Sequence, residues 1–227
     1  HQGTPFYVGQ TLAGNIFLMN ENFSNFTWKK KDLRIVALFR YWNVIEYFYP
    51  YKYLMDYKWD ITLEQMLTNF INVKSEDDFK LAMLKLVVRL NDTHATFYFK
   101  TDETIGKFRK FLPVKCVILD EKMVVVEILS DSLAERYDIQ IGDVITKVNN
   151  KSVSQIIQDE RNNISASNES AYLLNLVTKI SSGYDDTMNL EVIRNKITSN
   201  KTIECFDYNI SHSNEFKKTK TNPWREG

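Results

Sequence analysis

Glycine and proline are scarce, with seven and four residues in a chain of 227, and neither a GxGxxG nor a GxxxxGK[ST] run occurs. Dinucleotide and P-loop phosphate chemistry therefore lose their usual sequence support, and no cofactor is implied. Two cysteines, Cys116 and Cys205, are too few for a disulfide framework, and no His/Cys cluster has metal-ligand spacing. The two sulfurs read as buried thiols, with a single bridge as the other reading. No apolar run is long enough to span a bilayer as a helix, and the first residues lack the basic, apolar and small-residue segments of a signal peptide. Because the sequence opens at His1, the expectation is a processed or trimmed product whose compartment must be learned elsewhere. An excess of one charge is also missing. Twenty-nine basic residues cancel 29 acidic ones, which disfavours a purely electrostatic nucleic-acid or anionic-lipid binder.

What the chain does contain is apolar material: 44% hydrophobic residues and 13% aromatic ones suffice for one large domain or two modest ones. The first 30 residues read as an irregular lead-in with short strands. From Asp32, apolar residues recur at three- and four-residue steps through Leu33, Val36, Ala37, Tyr41, Val44, Ile45 and Phe48, until Pro50 ends the helix. Its circumference is nearly all apolar, so burial on most sides is expected, with the aromatic stretch 41–57 in a core rather than forming a sugar or lipid platform. Asp60 is a candidate cap for a second helix carrying Leu63, Met66, Leu67 and Phe70. Ser75 with Asp78 three residues on reads as a capping box before a third helix at 79–90. Asn91-Asp92 then ends that helix, His94 falls in a tight connection, and 96–99 has strand composition.

Past Lys100 the texture turns to β. Runs at 112–119 and 122–129 flank Asp120-Glu121 as a hairpin, and a helical turn covers 132–137. Gly142 supplies a turn before a strand expected to place Val144, Thr146 and Val148 on one face. Helices follow at 152–159 and 167–181, and strands at 188–194 and 202–208. The resulting fold class is α+β. An N-terminal helical subdomain of about three helices occupies 1–104, a β-rich domain 105–210, and a polar tail or truncated linker 211–227. The basic runs at 29–31 and 217–220 read as solvated surface.

Leu133-Ala134-Glu135-Arg136, Ile139 to Asn149 and Lys151-Ser152-Val153 together resemble the PDZ segment that surrounds an Ile-Gly-Asp-Val-Ile core. The strand order around this segment resembles the circularly permuted PDZ domains of bacterial proteases. Upstream, Arg40-Tyr41-Trp42-Asn43-Val44-Ile45-Glu46-Tyr47-Phe48-Tyr49-Pro50-Tyr51, Trp59-Asp60 and Leu90-Asn91-Asp92-Thr93-His94-Ala95 resemble the helical N-terminal region of carboxyl-terminal processing (tail-specific) peptidases and tricorn-core-like serine proteases. The resemblance covers residues 12–210. It implies a periplasmic or secreted serine peptidase of which this chain is the non-nucleophilic front portion. The PDZ-like domain would receive or gate polypeptide substrate for a protease domain of the same full-length chain.

The resemblance also assigns residues. His94 would be the general base for the serine in the full enzyme; the other reading is a loop histidine bonded to local backbone, with Asp92 as a turn residue. The peptide groove would lie between the strand carrying Leu112 and Val114 and the helix carrying Tyr172, Leu173 and Leu176, unless the latter residues are ordinary core. Pro113 has no N–H and no glycine flanks it, which speaks against a carboxylate-binding loop at 110–114 and leaves Arg109 or Lys110 to supply charge. Ser181-Ser182-Gly183 reads as a helix terminus and not as a nucleophile. A stand-alone PDZ-like scaffold without catalytic activity is the alternative function.

Overall fold

The apolar-periodic stretches at the front of the chain fold as helices α1 (Lys31–Phe48), α2 (Trp59–Ile71) and α3 (Glu76–Val88) in a computed structural model that describes residues 8–10, 16–18, 25–95, 97 and 109–207. A short antiparallel pair, β1 (Val8–Gln10) and β2 (Ile16–Leu18), precedes them. The start of α3 is set locally: the Ser75 hydroxyl accepts from the Asp78 backbone N–H at 3.0 Å, and the Asp78 carboxylate accepts from the Ser75 N–H at 3.0 Å. That reciprocal pair satisfies two N–H groups a helix otherwise leaves open. Asp60 does not cap α2 as expected. It sits inside the first turn and accepts from the neighbouring Ile61 N–H, while Lys58 holds the cap position without a side-chain bond.

Leu38, Ile45, Trp59, Met66, Phe70, Ala82, Leu86 and Leu90 form the core of this subdomain. Two devices tie α1 to α2. The Arg34 guanidinium, itself buried, donates to the carbonyls of Phe70 (2.8 Å), Ile71 (3.1 Å) and Trp28 (2.6 Å); it thereby closes the C-terminal end of α2, where carbonyls lack helical partners and carry partial negative charge. Trp42 and Trp59 exchange indole N–H bonds with each other's carbonyls at 2.8 and 3.0 Å. The expectation that α1 is buried on most sides is wrong. Only Arg34, Leu38 and Ile45 are buried along it, and Val36, Phe39, Tyr47 and Phe48 are exposed, as are Tyr51, Tyr53 and Tyr57 beyond it. Helix α2 packs along α1, and α3 contributes to the same core.

The β-rich module is built on a sheet of order β10-β9-β6-β5-β4, with β4 (Val114–Leu119), β5 (Lys122–Ile128), β6 (Val144–Val148), β9 (Thr187–Arg194) and β10 (Ile197–Glu204). A second, three-stranded sheet places β3 (Lys110–Phe111) between β11 (Phe206–Asp207) and β8 (Ser182–Gly183), so the two ends of the module meet. The small strand β7 (Lys151–Ser152) pairs with β6. Helices α4 (Asp131–Arg136), α5 (Val153–Glu160) and α6 (Glu169–Ile180) complete it, and α6 packs on β4. The β4–β5 turn uses Asp120 and Glu121 at φ +47° and +57°, the paired positive φ values that match hairpin twist.

One alternation differs from expectation. Ile145 and Val148, not Val144, Thr146 and Val148, are the buried residues of β6, because the pairing with β9 shifts register between Ile145 and Lys147. An inserted residue changes which positions face the core. Of the expected strand at 96–99 only Phe97 is described, and the tail at 211–227 lies outside the described residues.

Gly142 has φ +91° with nothing within 4 Å of where a Cβ would stand. Gly142→Ala is therefore expected to cost about 1–2 kcal/mol through backbone strain alone, read as a lower urea midpoint with unchanged m-value. Cys116 and Cys205 are both free and buried. Burial pushes the Cys116 thiol up to about 12 and, aided by the acidic side chains nearby, the Cys205 thiol up to about 11. A folded pKa above the unfolded one contributes stability that is full below the unfolded value, about 8.5, and is lost as pH rises through the folded values. Urea stability should thus decline from about pH 8.5 upward, and a Cys116→Ala/Cys205→Ala variant should show a shallower decline.

Candidate functional site

Helix α3 gives way to the His94 loop at Asn91, whose φ of +50° lies in the left-handed region that asparagine tolerates. The Asn91 side chain exchanges two bonds with Asp56, donating to its carboxylate at 2.7 Å and accepting from its N–H at 3.1 Å. Asp92 then organises the turn. One carboxylate oxygen accepts from the His94 backbone N–H at 2.9 Å and faces His94 Nδ1 at 3.3 Å; the other accepts from the Tyr49 hydroxyl at 3.1 Å. Burial opposes ionisation of Asp92, yet the His94 N–H, the Tyr49 hydroxyl and the His94 ring outweigh it and hold the carboxyl below its usual range. Tyr49 is raised to about 12 by burial and by the Asp92 charge, so it remains a donor through neutral pH.

The His94 side chain is 97% exposed. With Nδ1 donating to Asp92, Nε2 is left as the basic nitrogen on the open side, the arrangement that proton abstraction requires. Asp92 was legible as a turn residue; its second role, aligning the ring, and the part of Tyr49 were not.

The loop is also bonded to the β-rich module. The Asp92 N–H donates to Ser165 Oγ at 3.3 Å, Thr93 Oγ1 lies 3.0 Å from Ser167 Oγ, and the Ser167 N–H donates to Thr93 Oγ1 at 3.2 Å. Ser167 directly precedes Asn168, the residue that caps α6. Asn175 of α6 in turn donates to the Ser165 carbonyl at 3.4 Å. Nothing in the sequence pattern signals these pairings across more than 70 residues.

The second candidate region lies between β4 and α6. Among the described residues β4 has β5 as its only strand partner. Lys115, Val117 and Leu119 face outward along it, while Val114, Cys116 and Ile118 face the core. The expected groove residues are brought together, with four of them in the core: Leu112, Val114, Tyr172 and Leu176 are buried, and Leu173 packs partly buried against them. Tyr172 also donates its hydroxyl to the Ile157 carbonyl at 2.7 Å.

Several candidate donors for a carboxylate at 109–114 are engaged elsewhere. The Leu112 N–H donates to the Ser181 carbonyl at 2.9 Å, Pro113 has none, Lys110 pairs with Asp186, and the Arg109 guanidinium lies over the Phe111 ring. Ser181 closes α6 as its C-cap, and Ser182 Oγ donates back to the Thr178 carbonyl at 2.6 Å. Among the described residues no group of three metal-ligating side chains comes together, and no helix is long and apolar enough to cross a membrane.

Residues 104–173 match the family model of the PDZ domain. The β-rich module is PDZ-like. The fold of the helical subdomain and the PDZ domain together is shared with two solved structures of mature CPAF, one of them complexed with lactacystin. Each has 13% sequence identity and a TM-score of 0.55 over 77% of this chain, amounting to 35% and 34% of the CPAF chains. This chain thus spans about a third of that length. A photosystem II D1 C-terminal processing protease is also similar, with 14% identity and a TM-score of 0.46 over 77% of this chain and 44% of its own. A comparison with curated protein sequences finds no match.

Proposed function

We propose that this chain is the non-nucleophilic N-terminal portion of a serine peptidase, in which the PDZ domain receives and gates polypeptide for a protease domain of the same full-length protein. The observation that carries this reading is His94: a solvent-facing imidazole, aligned by Asp92, on a loop hydrogen-bonded to the segment that opens PDZ helix α6. In the complete enzyme a serine hydroxyl on the protease domain attacks the scissile carbonyl carbon, and His94 Nε2 takes the hydroxyl proton. The same proton passes to the leaving amine as the peptide bond breaks, and water then cleaves the acyl ester. Polypeptide would be gathered by strand addition to the outer edge of β4, with main-chain hydrogen bonds supplying affinity. A periplasmic or secreted setting belongs to the same proposal and rests on the family resemblance.

A general base must lie about 3 Å from the atom whose proton it abstracts, so the domain bearing the serine must cover the face that His94 presents. Tyr47, Tyr51, Tyr53 and Leu54 form an exposed apolar rim at the end of α1, joined to the loop through the bond from Tyr49 to Asp92. The protease domain would rest on this rim. A serine-directed fluorophosphonate applied to the full-length protein tests the reading: the label should attach to one serine outside these 227 residues. A full-length protein that takes up no label, or takes it only within this region, would favour the scaffold.

A further inference from the structure

A cleft of about 670 Å³ opens between the helical subdomain and the PDZ domain, with α3 and the 54–57 turn on one wall and residues 161–172 on the other. Lys85 on α3 and Arg89, the residue that caps the end of that helix, face it from one side and Arg161 from the other. Two carboxylates also line it, and both are engaged. Glu169 is paired with Arg161 at 2.6 Å, and Asp56 accepts the Asn91 amide at 2.7 Å.

The α3 cations are not matched in this way. Arg89 reaches neutral acceptors, Gln65 Oε1 at 2.6 Å and Thr62 Oγ1 at 3.4 Å, and stacks over the Tyr57 ring at 5.0 Å. Lys85 forms no ion pair with any described residue. Partial burial pulls the Arg89 guanidinium below its ordinary range, as expected of a cation withdrawn from water without a carboxylate to compensate. A half-buried arginine with only neutral partners, beside an unpaired lysine and a cavity of ligand size, is suited to an anionic guest.

We infer that this cleft binds acidic side chains of a polypeptide lying against the PDZ domain, an inference that rests on the polypeptide-receiving role proposed above. The volume favours a chain segment over a bare anion. Tyr172, near the start of α6, also lines the cleft, so the cleft borders the end of the helix along which the peptide would lie. The cleft is joined to the catalytic loop as well, because its wall residue Ser167 is bonded to Thr93. Acidic residues seated here would be held on the approach to His94.

Fluorescence anisotropy with a fluorescein-labelled decapeptide of alternating glutamate, and with its glutamine twin, tests this. The glutamate peptide should bind about tenfold more tightly, with a margin that narrows as salt is raised. Lys85→Gln/Arg89→Gln should bring it to the level of the glutamine peptide, and Lys85→Arg/Arg89→Lys should retain most of the preference. Equal affinities for the two peptides in the unmodified protein would overturn the cleft and leave the groove standing. So would a preference unaffected by Lys85→Gln/Arg89→Gln, or displacement by free glutamate as effective per carboxylate as by unlabelled peptide. Binding of neither peptide would overturn the cleft together with the receiving role of the PDZ domain.

Discussion

His94→Ala in the full-length protein should lower kcat for peptide hydrolysis by about 10²–10⁴-fold, the usual contribution of a positioned general base. The melting temperature should scarcely move, because the ring is 97% exposed and its polar contacts are confined to Asp92. Steady-state kinetics on a quenched peptide substrate, with a thermal melt of the same sample, reads both. Asp92→Asn should also lower kcat, since an amide in place of the carboxylate no longer favours the tautomer with Nδ1 protonated. Unchanged turnover in His94→Ala would remove the histidine from the mechanism whatever its surroundings.

Arg194→Met should destabilise the PDZ domain by about 3–5 kcal/mol, the range found when one partner of a buried ion pair is removed. Asp143 is 1% exposed and is bracketed by the Arg194 guanidinium at 2.6 and 2.8 Å and by the Gln140 N–H at 3.0 Å. Without the guanidinium its carboxylate keeps only the Gln140 N–H as a donor among the described residues. Asp138 joins the cluster at the rim, bonded to Arg194 at 2.8 Å and to Lys201 at 3.0 Å. Urea unfolding gives the loss, and Asp143→Leu/Arg194→Met should recover much of it, because the cost arises from the orphaned charge and not from the missing attraction.

These two predictions draw on different layers of information. His94 was singled out by the family resemblance, whereas the sequence around it fits a loop histidine, and its hydrogen bonding to Asp92 was not foreseen. Tyr49 stands 43 residues from Asp92 and Ser165 stands 73 away, and no local pattern announces either. Arg194 and Asp143 are likewise separated by 51 residues. Asp143 stood out only as part of the Ile-Gly-Asp-Val-Ile core, with no sign of its partner.

By itself the sequence determined the features settled within a few residues of one another: the capping box at Ser75, the Asp120-Glu121 hairpin, the turn at Gly142, the order of helices before strands, and the PDZ pattern from Ala134 to Val153. Each depends on side-chain spacing and backbone preference, which a linear reading preserves. The tertiary structure alone decided which residues of α1 are buried, which residues of β6 turn inward after the register shift, that Arg34 closes the end of α2, and that the His94 loop is bonded to the segment opening α6. Those outcomes depend on pairings between groups far apart in the chain, whose partners become neighbours only once the intervening loops have closed and the two cores have packed.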